Sequence, residues 1–323
     1  MNWRAIAALA CGLVVAAPQG KAAEYPTRAI KLIVPYAAGG PTDVLGRMVG
    51  EYLGRDLKQP VVIENKAGAQ GAIGAEAAAR AEPDGYTLFF TAASLFVLNP
   101  LLYKKLPYDP VKDFRVLALI TDLPVIMEVH PSVPAKTVAE FVAYAKQNPG
   151  KLNFGSAGTG GTTHLAGEMF SQMAGVNMVH IAYKGAGPAL TDLISGNIQL
   201  MFDTVGTALP PVQGGLLRAL AISSAQRLPA LPDVPTMAES GYPHYAVSVW
   251  YGIAAQSKLP DDIVRKLNAS LDKALSDDVF RASLDKVGFA PLRPRSQAEI
   301  DQFIATDRAR WAGVIKALNI SLD

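Results

Sequence analysis

Two similar glycine-rich segments have the residue types of an anion-binding loop. The first, YAAGGPTD, ends an apolar run at Tyr36, and the second, YKGAGPALTD, begins at Tyr183. Glycine lets a backbone approach a ligand closely, and proline suits the first turn of a helix, where the backbone N–H groups have no helical partner. We expect Pro41 and Pro188 each to open a helix after a strand. Ordinary helix capping explains either segment alone equally well.

A third segment, NFGSAGTGGTTHLAGE, nearly matches a phosphate-binding P-loop. Gly155 and Gly160 have the required spacing, but Gly161 occupies the position of the lysine that holds the phosphates. Nucleotide hydrolysis is therefore not expected, whereas backbone N–H groups at the start of a helix would still suit a weaker anion such as a carboxylate. A side chain added at Gly40 or Gly160 is expected to close such a site.

Residues for covalent or metal-assisted catalysis show no recognisable arrangement. Ser156 follows Phe154 and Gly155, so the sequence lacks the Gly-x-Ser-x-Gly turn of serine hydrolases. The histidines lack the spacings of metal ligands; they are His130, His164, His180 and His244. We expect no catalytic residue, no bound metal and no cofactor.

Some single residues have two interpretations. His164 is expected to cap or pack its helix, with ligand contact as the alternative, and Asp43 is expected to cap a helix. Asp203 either fixes a loop, which we favour, or meets an ammonium group of the ligand. Trp250 and Phe96 either line a pocket or belong to the core.

The elements that position these loops are strands and helices in alternation. Ten apolar runs are strand candidates: KLIVPY, PVVIEN, YTLFFTA, VLALITD, VIMEVH, LNFGSA, MVHIAY, IQLMFD, LRALAIS and VSVWYGIAA. The helix in TVAEFVAYAKQNPG has a capping box at Thr137 and Glu140 and stops at Pro149. Such alternation predicts an α/β architecture with mostly parallel sheets.

The length of 323 residues suits two lobes better than one. We expect the chain to cross between them at a turn near Asp122 to Pro124 and in the proline-rich stretch that ends at Tyr245. Lobe one then comprises residues 23–123 and 246–323, and lobe two residues 124–245. The lobe covered by the last helix is left open. The two tyrosine-glycine loops would face each other across a crevice at the carboxyl ends of parallel strands.

The first residues resemble a secretory signal. Arg4 precedes an apolar run from Ala5 to Ala17, and small residues follow, so we expect residues 1–22 to be cleaved after Ala22, with Ala23 as the alternative. Cleavage would remove Cys11, the only cysteine, and leave 28 basic and 28 acidic residues. A neutral mature chain argues against nucleic acid or an anionic membrane surface as a partner. A mature chain without thiols would have no disulfide and no cysteine nucleophile.

The ordered blocks of the sequence resemble those of the tripartite tricarboxylate transporter substrate-binding receptors, also called Bug receptors. These blocks include YPTRAIKLIVPYAAGGPTDVLGR, VVIENKAGAQGAIGAEAAARAEPDGYTL, NPLLYKKLPYDPVKDF, GSAGTGGTTHLAGE, YKGAGPALTDLISG and WYGIAA, and the resemblance covers essentially the whole mature chain. It implies a periplasmic, two-lobed binding protein of the Venus-flytrap, type II-like kind, which captures a carboxylate and passes it to a membrane transporter.

The resemblance also implies a set of ligand-binding residues. Similar proteins hold one carboxylate through backbone N–H groups and water in two strand-to-helix loops, while further residues lie near the same crevice or meet the far end of the ligand. The implied residues are Tyr36, Ala38, Gly39, Gly40, Thr42, Ser94, Ser156, Ala157, Gly158, Thr159, Gly160, Thr162, Thr163, Tyr183, Gly187 and Asp203. Lys184 is the only cation in these loops, which does not match a ligand with three negative charges.

We therefore expect a monomeric periplasmic receptor for a small organic carboxylate that delivers its ligand to a tripartite tricarboxylate-type transporter. A receptor that docks on a sensor kinase is the alternative, and a hydrolase or transferase on the same fold is a more distant one. Aliphatic, aromatic and amino-acid carboxylates all remain open as ligands.

Overall fold

The computed structural model of the protein describes residues 25–318 and 320–322. The expected signal peptide, with Cys11, lies outside these residues. Within the described ranges, no helix combines the length and the apolar character that crossing a bilayer requires.

The described residues alternate between strands and helices in the order expected of an α/β fold. The elements are β1 (Ile30–Val34), α1 (Pro41–Leu57), β2 (Val61–Asn65), α2 (Ala72–Ala79), β3 (Thr87–Ala92), α3 (Asn99–Leu102), β4 (Phe114–Val129), α4 (Val138–Gln147), β5 (Asn153–Ser156), α5 (Thr162–Ala174), β6 (Val179–Ala182), α6 (Ala186–Ile194), β7 (Leu200–Thr204), α7 (Val205–Gln213), β8 (Arg218–Ile222), β9 (Ser248–Gln256), α8 (Asp261–Ser276), α9 (Asp278–Lys286) and α10 (Gln297–Leu318). A 3-10 turn at Ala69–Gly71 precedes α2, and a π-helical turn at Ser94–Leu98 follows β3.

The strands form one continuous sheet in the order β2-β1-β3-β9-β4-β7-β5-β6, with β8 also paired to β4. Strands β1, β2 and β3 are mutually parallel, as are β5, β6 and β7, whereas β9 runs antiparallel to β3 and β4, and β4 runs antiparallel to β7 and β8. The two-lobed α/β fold is confirmed. Its sheet is mixed rather than mostly parallel, because β4 and β9 pass through the middle against the direction of their neighbours.

Strand β4 carries the chain from one part of the sheet to the other without a turn. It pairs with β9 from Phe114 to Pro124, and with β7 from Val125 to Val129. The prediction of a turn at Asp122 to Pro124 is therefore wrong. The two strands predicted from VLALITD and VIMEVH form one strand, β4. Pro124, which has no N–H group, lies where β4 changes partners, and the next N–H, that of Val125, donates to Ser223 Oγ at 2.8 Å. We call the part containing β1, β2, β3 and β9 lobe one, and the part containing β5, β6, β7 and β8 lobe two.

Helix α1 follows from its apolar pattern. Leu45, Val49 and Leu53 lie one or two turns apart and are fully buried. Helix α4 begins as predicted, because Thr137 Oγ1 accepts the N–H of Glu140 at 3.1 Å, although the Glu140 carboxylate accepts the N–H of Lys136 rather than that of Thr137.

Helix α10 packs against both lobes. Arg308 donates to the Phe96 carbonyl of lobe one at 2.7 Å, and Gln172 of α5 in lobe two donates to the Ala317 carbonyl at 3.2 Å. One residue before Arg308, the buried Asp307 carboxylate accepts the indole N–H of Trp250 on β9 at 2.9 Å. The last helix, which the sequence does not assign to a lobe, therefore braces the junction.

Candidate functional site

The loop between β1 and α1 places free backbone donors at the carboxyl end of a parallel strand. Gly39 has φ +83°, which turns the chain before the helix starts at Pro41. Asp43 fixes the loop because its carboxylate accepts from Gly39 N, Arg47 Nε and Asn65 Nδ2, each at 2.9 Å. Burial alone would raise the pKa of Asp43, but these donors lower it to about 2. Asp43 therefore caps by holding the loop ahead of α1 in place, and its carboxylate is fully used within the protein.

The remaining donors of this loop have no protein acceptor. Among the described residues of this loop and the first turn of α1, the N–H groups that make no hydrogen bond are those of Tyr36, Ala37, Ala38, Gly40 and Thr42. Gly40 has an ordinary extended conformation with φ −79°, and a side chain there would meet no atom closer than the Ala37 carbonyl oxygen at 3.7 Å. Gly40 therefore has room for a side chain, and its N–H has no acceptor among the described residues.

The loop between β5 and α5 is more tightly folded on itself. Ala157 N donates to Thr163 Oγ1, Gly158 N to Ser156 Oγ and Gly160 N to His164 Nδ1, at 3.0 to 3.2 Å. Ser156 is completely buried, so its hydroxyl serves the loop rather than an exposed surface. In this part of the described chain, the N–H groups left without an acceptor are those of Thr159, Thr162, Thr163 and His164.

Two histidine rings in close, tilted contact lie beside this loop and hydrogen-bond to it. The rings of His164 and His180 lie 3.9 Å apart, and His180 Nε2 is 2.7 Å from Ser156 Oγ. Burial, followed by the neighbouring His164, lowers the pKa of His180 to about 4, so its ring is neutral at pH 7. His164 performs the capping role expected for it, because its ring accepts the Gly160 N–H.

Gly160 faces the end of the chain rather than open space. A Cβ built there would lie 2.4 Å from Leu322 Cδ1 and 3.3 Å from Leu102 Cδ1, and the residue has φ +80°. Leu322 is itself held by a 3.0 Å hydrogen bond from its N–H to the Leu102 carbonyl. A substitution at Gly160 would therefore disturb this packing, so it does not test an anion site in the way expected from the sequence.

The segment between β6 and α6 adjoins the second loop. Gly185 N donates to the Ala157 carbonyl at 3.1 Å, and the Tyr183 hydroxyl donates to Asp192 at 2.7 Å, away from the loop. The helix begins at Ala186, so Pro188 is its third residue rather than its first, still within the turn that needs no donor. Within the described residues, the N–H groups of Ala186 and Gly187 have no acceptor.

Aromatic and acidic side chains lie between the two lobes. The Tyr36 hydroxyl is 2.8 Å from Ser94 Oγ, which joins two of the predicted site residues. Burial raises the pKa of Tyr251, the nearby Tyr36 and Asp203 raise it further, and a hydrogen bond with the Thr42 side chain lowers it. Tyr251 therefore lies at the meeting point of both lobes, and our sequence analysis missed it.

The neighbouring aromatic residues belong to the core. Trp250 is fully buried, with its ring centroid 6.3 Å from that of Phe96 and 6.1 Å from that of Phe303. Side chains alternate along a strand, so Trp250 and Tyr251 point to opposite faces of β9. The sequence signal WYG could have indicated Tyr251 if the second aromatic residue rather than the first had been assigned to the crevice.

Asp203 ends β7 with one carboxylate oxygen engaged. Oδ1 accepts the Thr204 N–H at 2.7 Å, whereas the buried Oδ2 has no partner among the described residues. Burial raises the pKa of this group to about 6. The engaged oxygen matches the structural role favoured from the sequence, and the other oxygen is free for a further donor.

The loops together present first-turn N–H groups of α1, α5 and α6, with one lysine, Lys184, in the same segments. Partial positive charge at helix starts favours an anion, and a single carboxylate matches it better than a highly charged ligand. Two facing lobes with such loops define a solute-binding protein.

The chain belongs to the tripartite tricarboxylate transporter receptor family: the family profile described as "Tripartite tricarboxylate transporter family receptor" matches residues 45–320. The chain is also similar to three solved structures over nearly their whole lengths. The periplasmic binding protein BugD is 35% identical, with a TM-score of 0.83, and the match covers 92% of this chain and 99% of that one.

The other two structures come from Rhodopseudomonas palustris and contain carboxylates. Rpa4515 with adipate is 34% identical with a TM-score of 0.86, covering 92% of this chain and 99% of that one. MatC with bound malate is 34% identical with a TM-score of 0.82, covering 90% of this chain and 100% of that one. The expected resemblance to the Bug receptors is confirmed.

Proposed function

We propose that this protein captures a small organic carboxylate between its lobes and delivers it to a tripartite tricarboxylate-type membrane transporter, without chemical change to the ligand. The observation that carries the proposal is the set of unpaired N–H groups at the starts of α1, α5 and α6. Adipate and malate in similar structures support a carboxylate ligand. We further propose a periplasmic monomer, exported through cleavage of the expected signal.

The proposed site comprises the residues inferred from the sequence, with Tyr251 added. The proposed lobe boundaries remain those at 123/124 and 245/246. They are supported by the change of β4 partners after Pro124 and by the start of β9 at Ser248.

The energetics of such a site are sufficient for capture. Hydrogen bonds to a charged group contribute about 1.5–3 kcal/mol each. Several of them, after the cost of ordering the ligand, account for micromolar binding, which corresponds to about −8 kcal/mol.

Thermal shift and calorimetry with adipate, malate, benzoate and glutamate test the function directly. At 100 times its Kd, a ligand stabilises the folded protein by about 2.7 kcal/mol, which raises Tm by a few degrees in a chain of this size. We expect at least one member of the panel to bind with micromolar affinity, and its methyl ester to fail.

Gly40→Val locates the site, because the extended backbone at this position accepts any residue and a Cβ there lies 3.7 Å from its nearest neighbour, the Ala37 carbonyl oxygen. We expect normal folding and a loss of binding of at least about tenfold, since the side chain would cover the free N–H groups. Gly313→Val on the exposed face of α10 is the matched control, because it also has open space around it. Unchanged binding by Gly40→Val would place the carboxylate elsewhere.

A further inference from the structure

The turn before α2 has an unusual backbone. Ala69 and Gln70 have φ +45° and +51°, between Gly68 at +131° and Gly71 at +84°. Left-handed backbone is unfavourable for residues with a Cβ, and two such residues in succession persist only where the surroundings impose them. The surrounding part of lobe one therefore holds this turn in a backbone conformation that is unfavourable by itself.

A buried network imposes the conformation. Asn99 Nδ2 lies 3.4 Å from the Gln70 carbonyl oxygen and donates to the Tyr108 hydroxyl at 3.2 Å, and Tyr108 in turn donates to the Leu95 carbonyl at 2.9 Å. Asn99 and Tyr108 are both buried. The Gly71 N–H also closes the turn on the Gly68 carbonyl at 2.9 Å. The core of lobe one thus holds the Gln70 backbone, and with it the position from which the side chain extends.

That side chain reaches the glycine loop of lobe two. A Cβ built on Gly158 would lie 2.9 Å from Gln70 Nε2 and 3.7 Å from its Oε1, and Gly158 has φ +145°. Only glycine leaves room for the amide at this point. The Gln70 side-chain amide makes no hydrogen bond within the described residues, although it can donate two. An unused neutral donor therefore lies over the loop that holds the free N–H groups of Thr159, Thr162 and Thr163.

We propose that Gln70 is a specificity-determining residue whose side-chain amide closes over the lobe-two loop and donates an N–H to the bound carboxylate. The inference deepens the proposed function and rests on it. The amide brings a donor from lobe one to an anion held by lobe two, so the contact forms only when the lobes are together. Because it is neutral, it adds hydrogen bonding without a charge that would attract polyvalent anions.

Gln70→Glu tests the inference with a side chain of nearly the same size. A carboxylate over the same loop would repel the ligand and remove the donor, so we expect binding at pH 7.5 to weaken at least 30-fold, on the order expected for a like charge close to a bound ion. The probe is the tightest binder among adipate, malate, benzoate and glutamate, measured by calorimetry. Gln302→Glu adds the same charge on the exposed side of α10 and should bind within about twofold of wild type.

A pH series separates charge from misfolding. The introduced Glu is protonated near pH 4.3, and higher beside an anion, and the protonated acid again offers a donor. The ratio of variant to wild-type Kd should therefore narrow as the pH falls from 7.5 to 5. Gln70→Gly keeps the left-handed turn without strain, so it should fold at least as stably as wild type and bind about three- to tenfold more weakly.

The outcomes distinguish the two proposals. If wild type binds a member of the panel and Gln70→Glu binds it within threefold at pH 7.5, the role of Gln70 is overturned while the proposed function stands. A constant Kd ratio across the pH series would also overturn that role. If wild type binds none of the four carboxylates, the proposed function fails and the inference fails with it.

Discussion

At the scale of single residues, two buried carboxyl groups in lobe two share one face of the sheet. Asp203 on β7 lies opposite Ile126, and Glu128 is two residues further along β4, on the same face. Both side chains are essentially unexposed, and neither forms an ion pair in the described part of the chain. Burial raises the pKa of Glu128 well above its usual value, and the nearby Asp203 raises it further. Burial and the neighbouring carboxyl group therefore both favour the neutral form of Glu128.

Asp203→Asn should stabilise the protein at pH 7.5 and have little effect at pH 4. The folded-state pKa of Asp203, about 6, exceeds that of the unfolded chain, about 3.9, so the penalty on folding grows as the pH rises from about 4 and is complete above about pH 6. The shift corresponds to roughly 3 kcal/mol at pH 7.5, and it vanishes at low pH, where both states are protonated. The amide oxygen can still accept the Thr204 N–H. Urea unfolding at the two pH values measures the difference.

Asp301→Asn on the exposed side of α10 is the control, and it should change stability little at either pH. A loss of stability at pH 7.5 in Asp203→Asn would mean that the ionised form is favoured in the folded protein. An equal gain at both pH values would mean that the gain does not come from titration.

The glycine loops could be predicted from the sequence because their signal is local: a glycine turn followed by a helix start leaves N–H groups free wherever it occurs. The contact of Gln70 with Gly158 could not, because it joins two lobes and depends on a strained turn between glycines. Tyr251 was missed for a simpler reason. Strand alternation indicates that Trp250 and Tyr251 face opposite sides, but not which side is the crevice.

At the scale of secondary-structure elements, the junction between the lobes consists of β4, β9 and α10. Strand β4 continues through both lobes, β9 pairs with it as far as Pro124, and α10 packs across this junction with Asp307 at the middle of the helix. The Asp307 carboxylate accepts hydrogen bonds from Trp250 Nε1 and from the Arg310 guanidinium, which also donates to the Ala246 carbonyl. One carboxylate thus joins α10 to β9 beside the junction.

Asp307→Ala should destabilise the protein by about 2–4 kcal/mol, because it leaves a buried indole N–H and a guanidinium without their acceptor. Asp307→Asn should cost less, since the amide oxygen can still accept from Trp250. Urea unfolding followed by the fluorescence of Trp250 and Trp311 measures both. Asp301→Ala, on the same helix but exposed, serves as the control. Equal stability of Asp307→Ala and wild type would show that α10 does not brace the junction through this residue.

The elements themselves were largely predictable, and the exception is informative. VLALITD and VIMEVH have the length and composition of two strands, and the polar and proline residues between them suggest a turn. In the structure the strand continues through Asp122 and Pro124. It pairs with β9 up to Pro124 and with β7 from the next residue onward. Local propensity describes an isolated segment, whereas continuity here is set by neighbours that are distant in the sequence.

At the scale of the whole molecule, the two lobes share one hydrophobic core. A single cluster of buried side chains includes Leu32 and Phe90 in lobe one, Phe154 and Phe202 in lobe two, and Trp250 at the junction. Two smaller clusters lie in lobe two, around Val205 and around Leu193. Lobes that could separate as independent domains would be expected to meet through a smaller and more polar surface.

The two lobes should therefore unfold together. Chains with two domains commonly show two calorimetric transitions, but a core that continues through β4 and β9 makes the loss of one lobe expose the apolar face of the other. We expect differential scanning calorimetry to give one transition, with the van't Hoff and calorimetric enthalpies in agreement.

A carboxylate bound between the lobes, at about 100 times its Kd, should move the whole transition upward by a few degrees, because it binds only when both lobes are folded. Two resolved transitions would show that the junction is too weak to couple the lobes. A ligand that shifts just one of them would show that its binding energy falls on a single lobe, in conflict with a site shared between them.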